Sequence, residues 1–349
     1  MRLLMLPRYG PLGASSRLRM YQYVPELRNA GVHVTMSPLF SDAYVRALYA
    51  QDSRALEAVR GYLRRVQAQQ TAKLFDVVWV EKELLPWMPA FLERIPGRAA
   101  VVVDYDDAVF HNYDKHRSAF IRRLLGTRID AIMKRADAVT VGNEYLALRA
   151  EHAGNPRVVR IPTVVDLRRY AVRNPNVTNP RVRIGWIGSP ATAPYLHGVA
   201  PAIRRLAAAK NIEAVAVGAR PDQVEGTPFQ AVPWREDAEA ALVASFDIGL
   251  MPLPDEPWER GKCGYKLIQY MACGVPVVAS PIGVNNEIVK PGSNGFLAGD
   301  EDSWFDSLRQ LVDNPSLRDQ MGRAGRERVE EWYSLQVQVP RLLALFRDL

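Results

Sequence analysis

Cysteine is scarce in this chain, and no long apolar run interrupts it. Only two of its 349 residues are cysteines, Cys263 and Cys273, and they lie ten positions apart. Such a pair is neither a disulfide framework nor a zinc-ligand spacing, so we expect a reducing, cytoplasmic environment. No apolar stretch reaches the ~18–20 residues that a transmembrane helix needs. The N-terminal M-R-L-L-M-L-P is too short for a signal peptide's apolar region and is typical of a first strand.

Acidic residues are sparse in the first half of the chain. Residues 1–175 contain 27 Lys and Arg against 17 Asp and Glu. A basic surface favours an anionic partner such as a membrane, although arginines that merely solvate helices explain the balance equally well. The helix predicted over 116–136 would make a peripheral membrane contact through Arg122, Arg123 and Arg128, unless its apolar residues only form a core face. No recognition motif accompanies the charge, so we expect no nucleic-acid partner.

What is present is an alternation of short apolar segments and helical segments that occurs twice, over 1–169 and again from 182. This predicts an α/β fold of two Rossmann-like, doubly wound domains, whose sheets bind ligands at the carboxyl ends of their strands. The intervening A-V-R-N-P-N-V-T-N-P has no periodicity and is typical of a linker. We predict an N-terminal domain over 1–172, a C-terminal domain over 180–333 and a final helix over 334–349.

The stretch from Asp247 to Glu287 contains the clearest predicted ligand site. An apolar strand is followed by a loop and by a helix that begins near Gly264 and ends before Gly274. The free N–H groups at the start of this helix and its dipole favour an anion, and the nearby Arg260 and Lys262 are cations. The pattern therefore predicts a phosphate site at the beginning of the helix.

The same stretch has a family resemblance. Y-K-L-I-Q-Y-M-A-C-G-V-P-V-V-A-S followed by G-V-N-N-E resembles the nucleotide-binding signature of glycosyltransferase family 4, retaining enzymes of the GT-B fold. The resemblance implies two domains facing a cleft, with the last helix crossing back to the N-terminal domain. Most members carry a Glu-x7-Glu pattern here, but this chain has Gly261 and Gln269 at the two positions. I-P-T-V-V-D, ending at Asp166, resembles the loop that closes the family's first domain.

The resemblance also implies which residues bind the donor. Family members usually hold the diphosphate with an Arg and a Lys in the region that follows the strand over 182–187, where this chain has neither before Arg204. Arg260 and Lys262, supported by Lys266, are the predicted replacements, Gln269 is predicted to bind the ribose, and Trp234 to stack on the base. The complete predicted donor set is Gly13, Gly188, Ser189, Thr192, Gly218, Trp234, Cys263, Gly264, Tyr265, Lys266 and Gln269.

Polar residues after two N-terminal strands form the predicted acceptor side. P-R-Y-G-P-L-G-A-S-S-R follows the first strand, and one of its serines is expected to cap the next helix. V-V-V-D-Y-D-D follows another strand, and carboxylates this close repel one another unless they are solvated, paired or metal-bound. A metal-binding D-x-D, a phosphatase nucleophile loop and a helix cap are the other interpretations of these acids. The predicted acceptor-side residues are Ser15, Ser16, Arg17, Asp104 and Asp107.

The expected reaction is metal-independent hexose transfer, with retention, from a UDP- or GDP-type nucleotide sugar to a glycan or lipid-linked acceptor of the cell envelope. Asp106 stands where family members place a His against the donor sugar, so it is predicted to act with Arg260 and Lys262 as the catalytic group. No bound cofactor is expected. No carboxylate is placed as a nucleophile, which agrees with the front-face mechanism proposed for the family. The alternatives are a non-catalytic nucleotide-sugar-binding subunit and a non-hydrolysing nucleotide-sugar epimerase.

Overall fold

The computed structural model describes residues 1–173 and 180–349, and the chain forms two compact units. The predicted linker falls largely on residues 174–179, which lie outside the described residues, so the predicted domain limits stay a prediction. No helix in the described part of the chain is both long and apolar enough to cross a membrane. The first unit comprises Met1–Thr163, Gly261–Cys263 and Gln338–Leu349, and the second comprises Val164–Arg260 and Gly264–Val337.

The first unit is built on one parallel sheet. Its strands are β1 Arg2–Leu6, β2 His33–Met36, β3 Val77–Glu81, β4 Ala100–Tyr105, β5 Ala138–Val141 and β6 Val158–Arg160. They are ordered β2-β1-β3-β4-β5-β6, and β3 is buried along its whole length, as its unbroken apolar run predicts. The helices are α1 Ala14–Arg19, α2 Val24–Asn29, α3 Asp42–Ala50, α4 Ala55–Thr71, α5 His111–Asp114, α6 Ala119–Leu125, α7 Arg128–Arg135 and α8 Glu144–His152.

The second unit repeats this architecture. Its strands are β7 Val182–Ile187, β8 Ile212–Val217, β9 Phe229–Val232, β10 Ile248–Met251, β11 Val277–Ala279 and β12 Gly295–Leu297. They form a parallel sheet in the order β12-β11-β10-β7-β8-β9. Its helices are α9 Ala200–Ala209, α10 Pro221–Val224, α11 Glu239–Ala244, α12 Pro257–Arg260, α13 Tyr265–Ala272, α14 Asn285–Ile288, α15 Glu301–Asp313, α16 Pro315–Trp332 and α17 Leu335–Arg347, whose residues from Gln338 belong to the first unit.

The prediction of one helix over 116–136 is wrong, because the structure has two helices there. The membrane contact predicted for Arg128 is wrong as well. Helix α6 ends at Leu125 and α7 begins at Arg128, with Gly126 between them. This break turns Arg128 inward, where it is 3% exposed and forms ion pairs with the carboxylates of Glu83 and Glu93. Arg128 therefore stabilises the interior and cannot contact a membrane, whereas Arg122 is exposed.

Each sheet has a switch point, where successive connections leave two neighbouring strands in opposite directions. The switch point lies between β1 and β3 in the first sheet and between β7 and β10 in the second. Helices on opposite faces leave a crevice outside the carboxyl ends of such strands, and ligands of doubly wound sheets bind there. The residues that follow these four strands are therefore the ones that the fold presents to a ligand.

Candidate functional site

In the second unit, the loops that follow β7 and β8 expose backbone where side chains are excluded. The Gly188 N–H donates to the Val217 carbonyl at 3.0 Å. Gly218 has φ +86°, and a Cβ on it would lie 2.1 Å from the carbonyl oxygen of Gly188. A Cβ on Gly188 would lie 2.4 Å from the Trp186 ring and 2.8 Å from Cε of Lys266. Only glycine fits at either position, because protein atoms already fill the space that a Cβ would take.

Helix α13 directs its N-terminus and a cation to the same place. Gly264 precedes the helix with φ +67°, a left-handed conformation that favours glycine. Lys266 lies in the first turn, with its side chain against Gly188 and its Nζ 5.4 Å from the centre of the Trp186 ring. Ser189 is exposed beside them, and its carbonyl accepts a 3.1 Å hydrogen bond from the Thr192 hydroxyl. The positive end of the helix dipole and an ammonium group at one place together favour a phosphate.

A polar network lies next to this phosphate-type site. Trp234 is 39% exposed, its Cβ lies 3.5 Å from where a Cβ on Gly218 would be, and its indole donates to Glu239 at 2.8 Å. The other oxygen of Glu239 accepts from the Tyr170 hydroxyl at 2.7 Å and from the Gln269 amide at 2.9 Å. Burial is the main reason why the pKa of Tyr170 is raised far above its ordinary value. Gln269 is itself buried, so its amide is already committed to this network.

The two cations predicted to hold a diphosphate have separate surroundings. Arg260, at the end of α12 in the second unit, forms a bidentate pair with Asp255, with its Nε 2.7 Å from Oδ1. Lys262 belongs to the first unit, as do Gly261 and Cys263. There it is a positive charge that partly lowers the pKa of Asp107. The predicted roles of both cations stay predictions.

At the switch point of the first unit, a buried carboxylate organises the loop after β1. Glu81, the last residue of β3, is fully buried and accepts from the backbone N–H of Arg8 at 2.8 Å. The Ser16 hydroxyl donates to the same oxygen of Glu81 and accepts from the Tyr9 N–H at 2.9 Å. Ser15 lies 2.7 Å from the other oxygen. The serines therefore bind Glu81 and do not cap α1, contrary to the expectation for this loop.

Lys82 follows Glu81 and joins the loop after β3 to the loop after β4. It is 5% exposed and has φ +65°, a left-handed conformation that costs a lysine roughly 1 kcal/mol or more. Its Nζ lies 2.9 Å from Asp106, 3.5 Å from Asp107 and 2.9 Å from the Ser15 hydroxyl. The two predicted acids are thus paired with a side-chain cation, and strain at this position is typical of a functional site.

The charges of this cluster shift one another's protonation. Burial alone would lower the pKa of Lys82, but Asp106 and Asp107 more than offset this and raise the pKa above its usual value. Burial acts to raise the pKa of Asp106, but Lys82 and Arg19 hold that pKa below its usual value. Burial and the neighbouring Asp106 raise the pKa of Asp107. Two adjacent carboxyl groups with opposite shifts are suited to different roles, one ionised and one able to carry a proton.

Asp104 has the surroundings of a structural residue. It is fully buried, and Arg19 binds both of its oxygens, at 2.8 and 2.6 Å. The Thr140 hydroxyl donates to it at 2.6 Å, and Arg19 also donates to the Ile161 carbonyl at 2.8 Å. These contacts tie α1 to β4, β5 and the end of β6. Its predicted place on the acceptor side stays a prediction, although this geometry favours a role in stability.

Asn143 fixes the segment 261–263 within the first unit. Its side-chain amide donates to the carbonyls of Gly261 and Lys262, both at 2.9 Å, while its oxygen caps α8. A Cβ on Gly261 would lie 2.5 Å from Cβ of Ala108 and 2.8 Å from its backbone nitrogen. The thiol of Cys263 donates to the Asp106 carbonyl at 3.0 Å. The glutamate that family 4 usually carries at the Gly261 position therefore has no room in this chain.

Comparison with known proteins finds a family match within the second unit. Residues 181–314 match the family model described as Glycosyl transferases group 1. This segment is thus similar to a group 1 glycosyltransferase domain, and residues 181–314 are called the group 1 domain below. It contains Gly188, Gly218, Trp234, Lys266 and Gln269, so the network and the phosphate-type site described above both lie inside it.

Individual relatives match only part of the chain. An N-acetyl-alpha-D-glucosaminyl L-malate synthase from Bacillus anthracis is 29% identical over 116 residues, 33% of this chain and 29% of that protein. A GDP-mannose-dependent monoacylated alpha-(1-6)-phosphatidylinositol monomannoside mannosyltransferase from Corynebacterium glutamicum is 35% identical over 86 residues, 24% of this chain and 23% of that protein. The chain thus spans less than a third of the length of these curated relatives.

A solved structure matches the whole chain in fold. Anabaena HepE, whose crystal structure contains UDP and glucose, has a TM-score of 0.76 at 16% sequence identity, and the match covers 100% of both chains. At this identity the likeness concerns the fold, and it confirms the predicted GT-B type with two parallel, doubly wound sheets.

Sequence reasoning missed three residues around the group 1 domain's site and the acid cluster: Glu81, Lys82 and Glu239. A signal for the first two was present, because E-K-E directly follows the apolar V-V-W-V, where a fold of this class presents polar groups to a ligand. Glu239 had no comparable signal, since it lies in an ordinary helical segment. In the described ranges, no three His, Cys, Asp or Glu side chains are grouped so that they could hold a metal ion.

Proposed function

We propose that this protein is a retaining, metal-independent hexosyltransferase that moves a sugar from a nucleoside-diphosphate sugar to a glycan or lipid-linked acceptor. One observation carries the proposal: the bare backbone at Gly188 and Gly218, the N-terminus of α13 and the Lys266 side chain converge at one switch point of the group 1 domain. Cleavage of a sugar–diphosphate bond builds negative charge on the leaving phosphate. Fixed N–H groups and an ammonium group stabilise that charge most at this step.

The neighbouring network supports a nucleoside rather than a bare phosphate. Trp234 offers an exposed aromatic face beside Gly218, suited to stacking on a base. The buried Gln269 amide donates to the Tyr170 hydroxyl and to Glu239, which links Gln269 and Glu239 in one network. We propose that Gln269 and Glu239 recognise the ribose hydroxyls together. Relatives that use GDP-mannose and structures that contain UDP both occur among the matches, and we propose UDP and GDP sugars as the donor classes.

The acid cluster of the first unit suits the reacting sugar and its acceptor. We propose that Asp106, kept ionised by Lys82, orients the donor sugar through its hydroxyl groups. Asp107, whose pKa is raised, and Ser15 would bind acceptor hydroxyls, because they supply proton donors as well as acceptors. Lys262 and Arg260 are proposed to assist at the diphosphate. No cofactor other than the nucleotide sugar is needed for this chemistry.

The proposal includes a place in the cell. The name of the Corynebacterium relative specifies a phosphatidylinositol-linked acceptor, and the present chain is basic in its first half. We propose a cytoplasmic protein that works at the inner face of the cytoplasmic membrane, in envelope polysaccharide or glycolipid synthesis, with a peripheral contact to anionic lipid.

Proton NMR of a reaction mixture tests this function. The protein is incubated with UDP-glucose or GDP-mannose, a chelator and a bacterial lipid and glycan extract. We expect equal rates of nucleoside diphosphate release and of appearance of an α-linked product. Lys266→Ala should lose activity, and Lys210→Ala, which removes a lysine that pairs with Asp313 before β8, should keep it. Formation of an epimer without acceptor would favour the epimerase, and binding without any release would favour the non-catalytic subunit.

A further inference from the structure

Helix α4 exposes an apolar face to solvent. Leu56, Val59, Leu63 and Val66 are 62%, 58%, 63% and 43% exposed. At ~100° per residue they fall within an arc of about 80° on one side of the helix. The helix packs on the first unit through its opposite side, where Gly61, Arg65, Ala68 and Gln69 are buried. Single exposed apolar residues are ordinary, but a continuous exposed stripe marks an interaction surface.

The stripe continues onto the loop after β3. The Tyr62 hydroxyl donates to the Pro86 carbonyl at 2.6 Å, and the Gln69 amide donates to the Leu92 carbonyl at 3.2 Å. These bonds hold residues 86–92 along one edge of α4. Trp87 and Phe91 in this loop are 48% and 63% exposed. The helix stripe together with Trp87 and Phe91 is called the apolar face below.

Positive charge borders the apolar face on its other edge. Arg60 and Arg64 follow the stripe around the helix, and Arg54 is exposed just before its first turn. Glu57 pairs with Arg60 at 2.8 Å and accepts from the Ser41 hydroxyl at 2.8 Å, so these two charges offset each other. The remaining positive charge is that of Arg54 and of Arg64, which is half-buried and donates to the Leu39 carbonyl at 3.3 Å, and the nearest other acid is Asp52, two residues before Arg54. An apolar stripe with an aromatic side chain and flanking arginines is the pattern of a helix that lies in the interface of an anionic membrane.

We propose that this apolar face, rather than α6, docks the protein on an anionic lipid surface. The inference rests on the membrane contact included in the proposed function and is independent of sugar transfer. Leu63 and its neighbours enter the acyl boundary, and the arginines lie at the level of the lipid phosphates. A second copy of the chain is the other possible occupant, and an antiparallel two-fold contact between α4 helices would bring the same arginine-rich edge of each copy together, which is unfavourable.

Vesicle co-sedimentation without nucleotide tests the inference. The full chain is mixed with vesicles of phosphatidylcholine alone or of phosphatidylcholine with phosphatidylglycerol. We expect binding to the anionic vesicles that weakens as salt rises. Leu63→Glu should weaken binding at least about tenfold, because it places a charge where an apolar side chain is buried. Leu148→Glu is the matched control, since Leu148 lies on α8, is 56% exposed and is outside the apolar face.

Two further measurements keep the outcome clear. Arg60→Gln combined with Arg64→Gln should weaken binding to anionic vesicles and leave the thermal midpoint within a few degrees of wild type. Val59→Asn repeats the test of Leu63→Glu without adding a charge.

Wild-type protein that stays in the supernatant, or equal binding by Leu63→Glu and wild type, would overturn the inference. So would a wild-type dimer on size exclusion that Leu63→Glu converts to a monomer, because the occupant would then be a second copy. Nucleotide binding is unaffected by these outcomes and reports separately on the proposed function.

Discussion

Removing the Lys82 ammonium group is expected to destabilise the first unit strongly. This group lies 2.9 Å from Asp106 and 3.5 Å from Asp107, and the lysine is 5% exposed. Lys82→Ala would leave two adjacent carboxyl groups, 12% and 29% exposed, without their nearest cation. Breaking a fully buried pair by removing one partner costs about 3–5 kcal/mol; because these carboxyl groups are partly solvated, we expect a smaller loss of about 1–3 kcal/mol at neutral pH.

A second variant isolates the backbone strain. Both Lys82→Ala and Lys82→Gly remove the charge, but only glycine adopts φ +65° without cost. We therefore expect Lys82→Gly to be more stable than Lys82→Ala by about 1 kcal/mol. At an ordinary position the order would be reversed, because glycine increases the entropy of the unfolded chain.

The loss of unfolding free energy in Lys82→Ala should grow as the pH rises towards neutral. In the wild type the folded pKa of Asp106 is lowered, so this group adds stability above its unfolded pKa and loses it as pH falls through the folded pKa. Without Lys82, burial and the neighbouring acid raise both carboxyl pKa values, which is destabilising wherever those groups must ionise. The difference between wild type and variant should thus be largest near neutral pH and narrow towards about pH 4.

Urea unfolding at a series of pH values, followed by circular dichroism, measures all three effects. Lys115→Ala is the control, because Lys115 is an exposed lysine of the same unit. If Lys82→Ala unfolds within about 0.5 kcal/mol of wild type at neutral pH, with no change on acidification, the described cluster does not exist in solution.

Three other predictions concern the loop and helix around α13. Gly261→Glu should lower the free energy of unfolding in urea by about 1–3 kcal/mol, because the new side chain meets Ala108. Gly198→Glu is the control and should be tolerated, because no atom lies within 4 Å of the Cβ position of Gly198; equal stabilities of the two variants would contradict this prediction. Gln269→Glu places a carboxylate beside Glu239. The melting temperature of this variant should therefore fall most at high pH and recover on acidification. A difference in melting temperature from wild type that does not change with pH would refute the reasoning. Cys263 and Cys273 are buried, and burial raises the pKa of Cys273 to about 12. A thiol reagent should therefore label neither cysteine until the protein is unfolded, and rapid labelling of the native protein would contradict this prediction.

The strands and the helix after the phosphate-type loop could be predicted from the sequence because their signals are local. The apolar run at 246–251 and the glycines around the helix over 264–272 place both elements within two residues of β10 and α13. The structure places Gly218 beside Gly188 and Gly188 beside Lys266, as expected when strands of a parallel sheet end at the same edge, and their role as donor ligands stays a prediction. The predicted final helix over 334–349 corresponds to α17, Leu335–Arg347.

The acid cluster could be predicted only in part, because its chemistry depends on distant pairing. Asp106 and Asp107 were noted, but the cation between them comes from Lys82, 24 positions before Asp106, in a segment that looks like an ordinary charged loop. The inward turn of Arg128 had the same cause. Its partners Glu83 and Glu93 are 45 and 35 positions away in the sequence, so no local pattern predicts these ion pairs.

Calorimetric titration of UDP and GDP, in the presence of a chelator, tests the central claim that the group 1 domain binds a nucleoside diphosphate at Lys266. We predict saturable binding of at least one of the two by the wild type and by Lys210→Ala. Lys266→Ala should bind about ten- to a hundred-fold more weakly, as expected for loss of a hydrogen bond to a charged phosphate. Equal affinities of wild type and Lys266→Ala, or no binding of either nucleotide, would contradict the account.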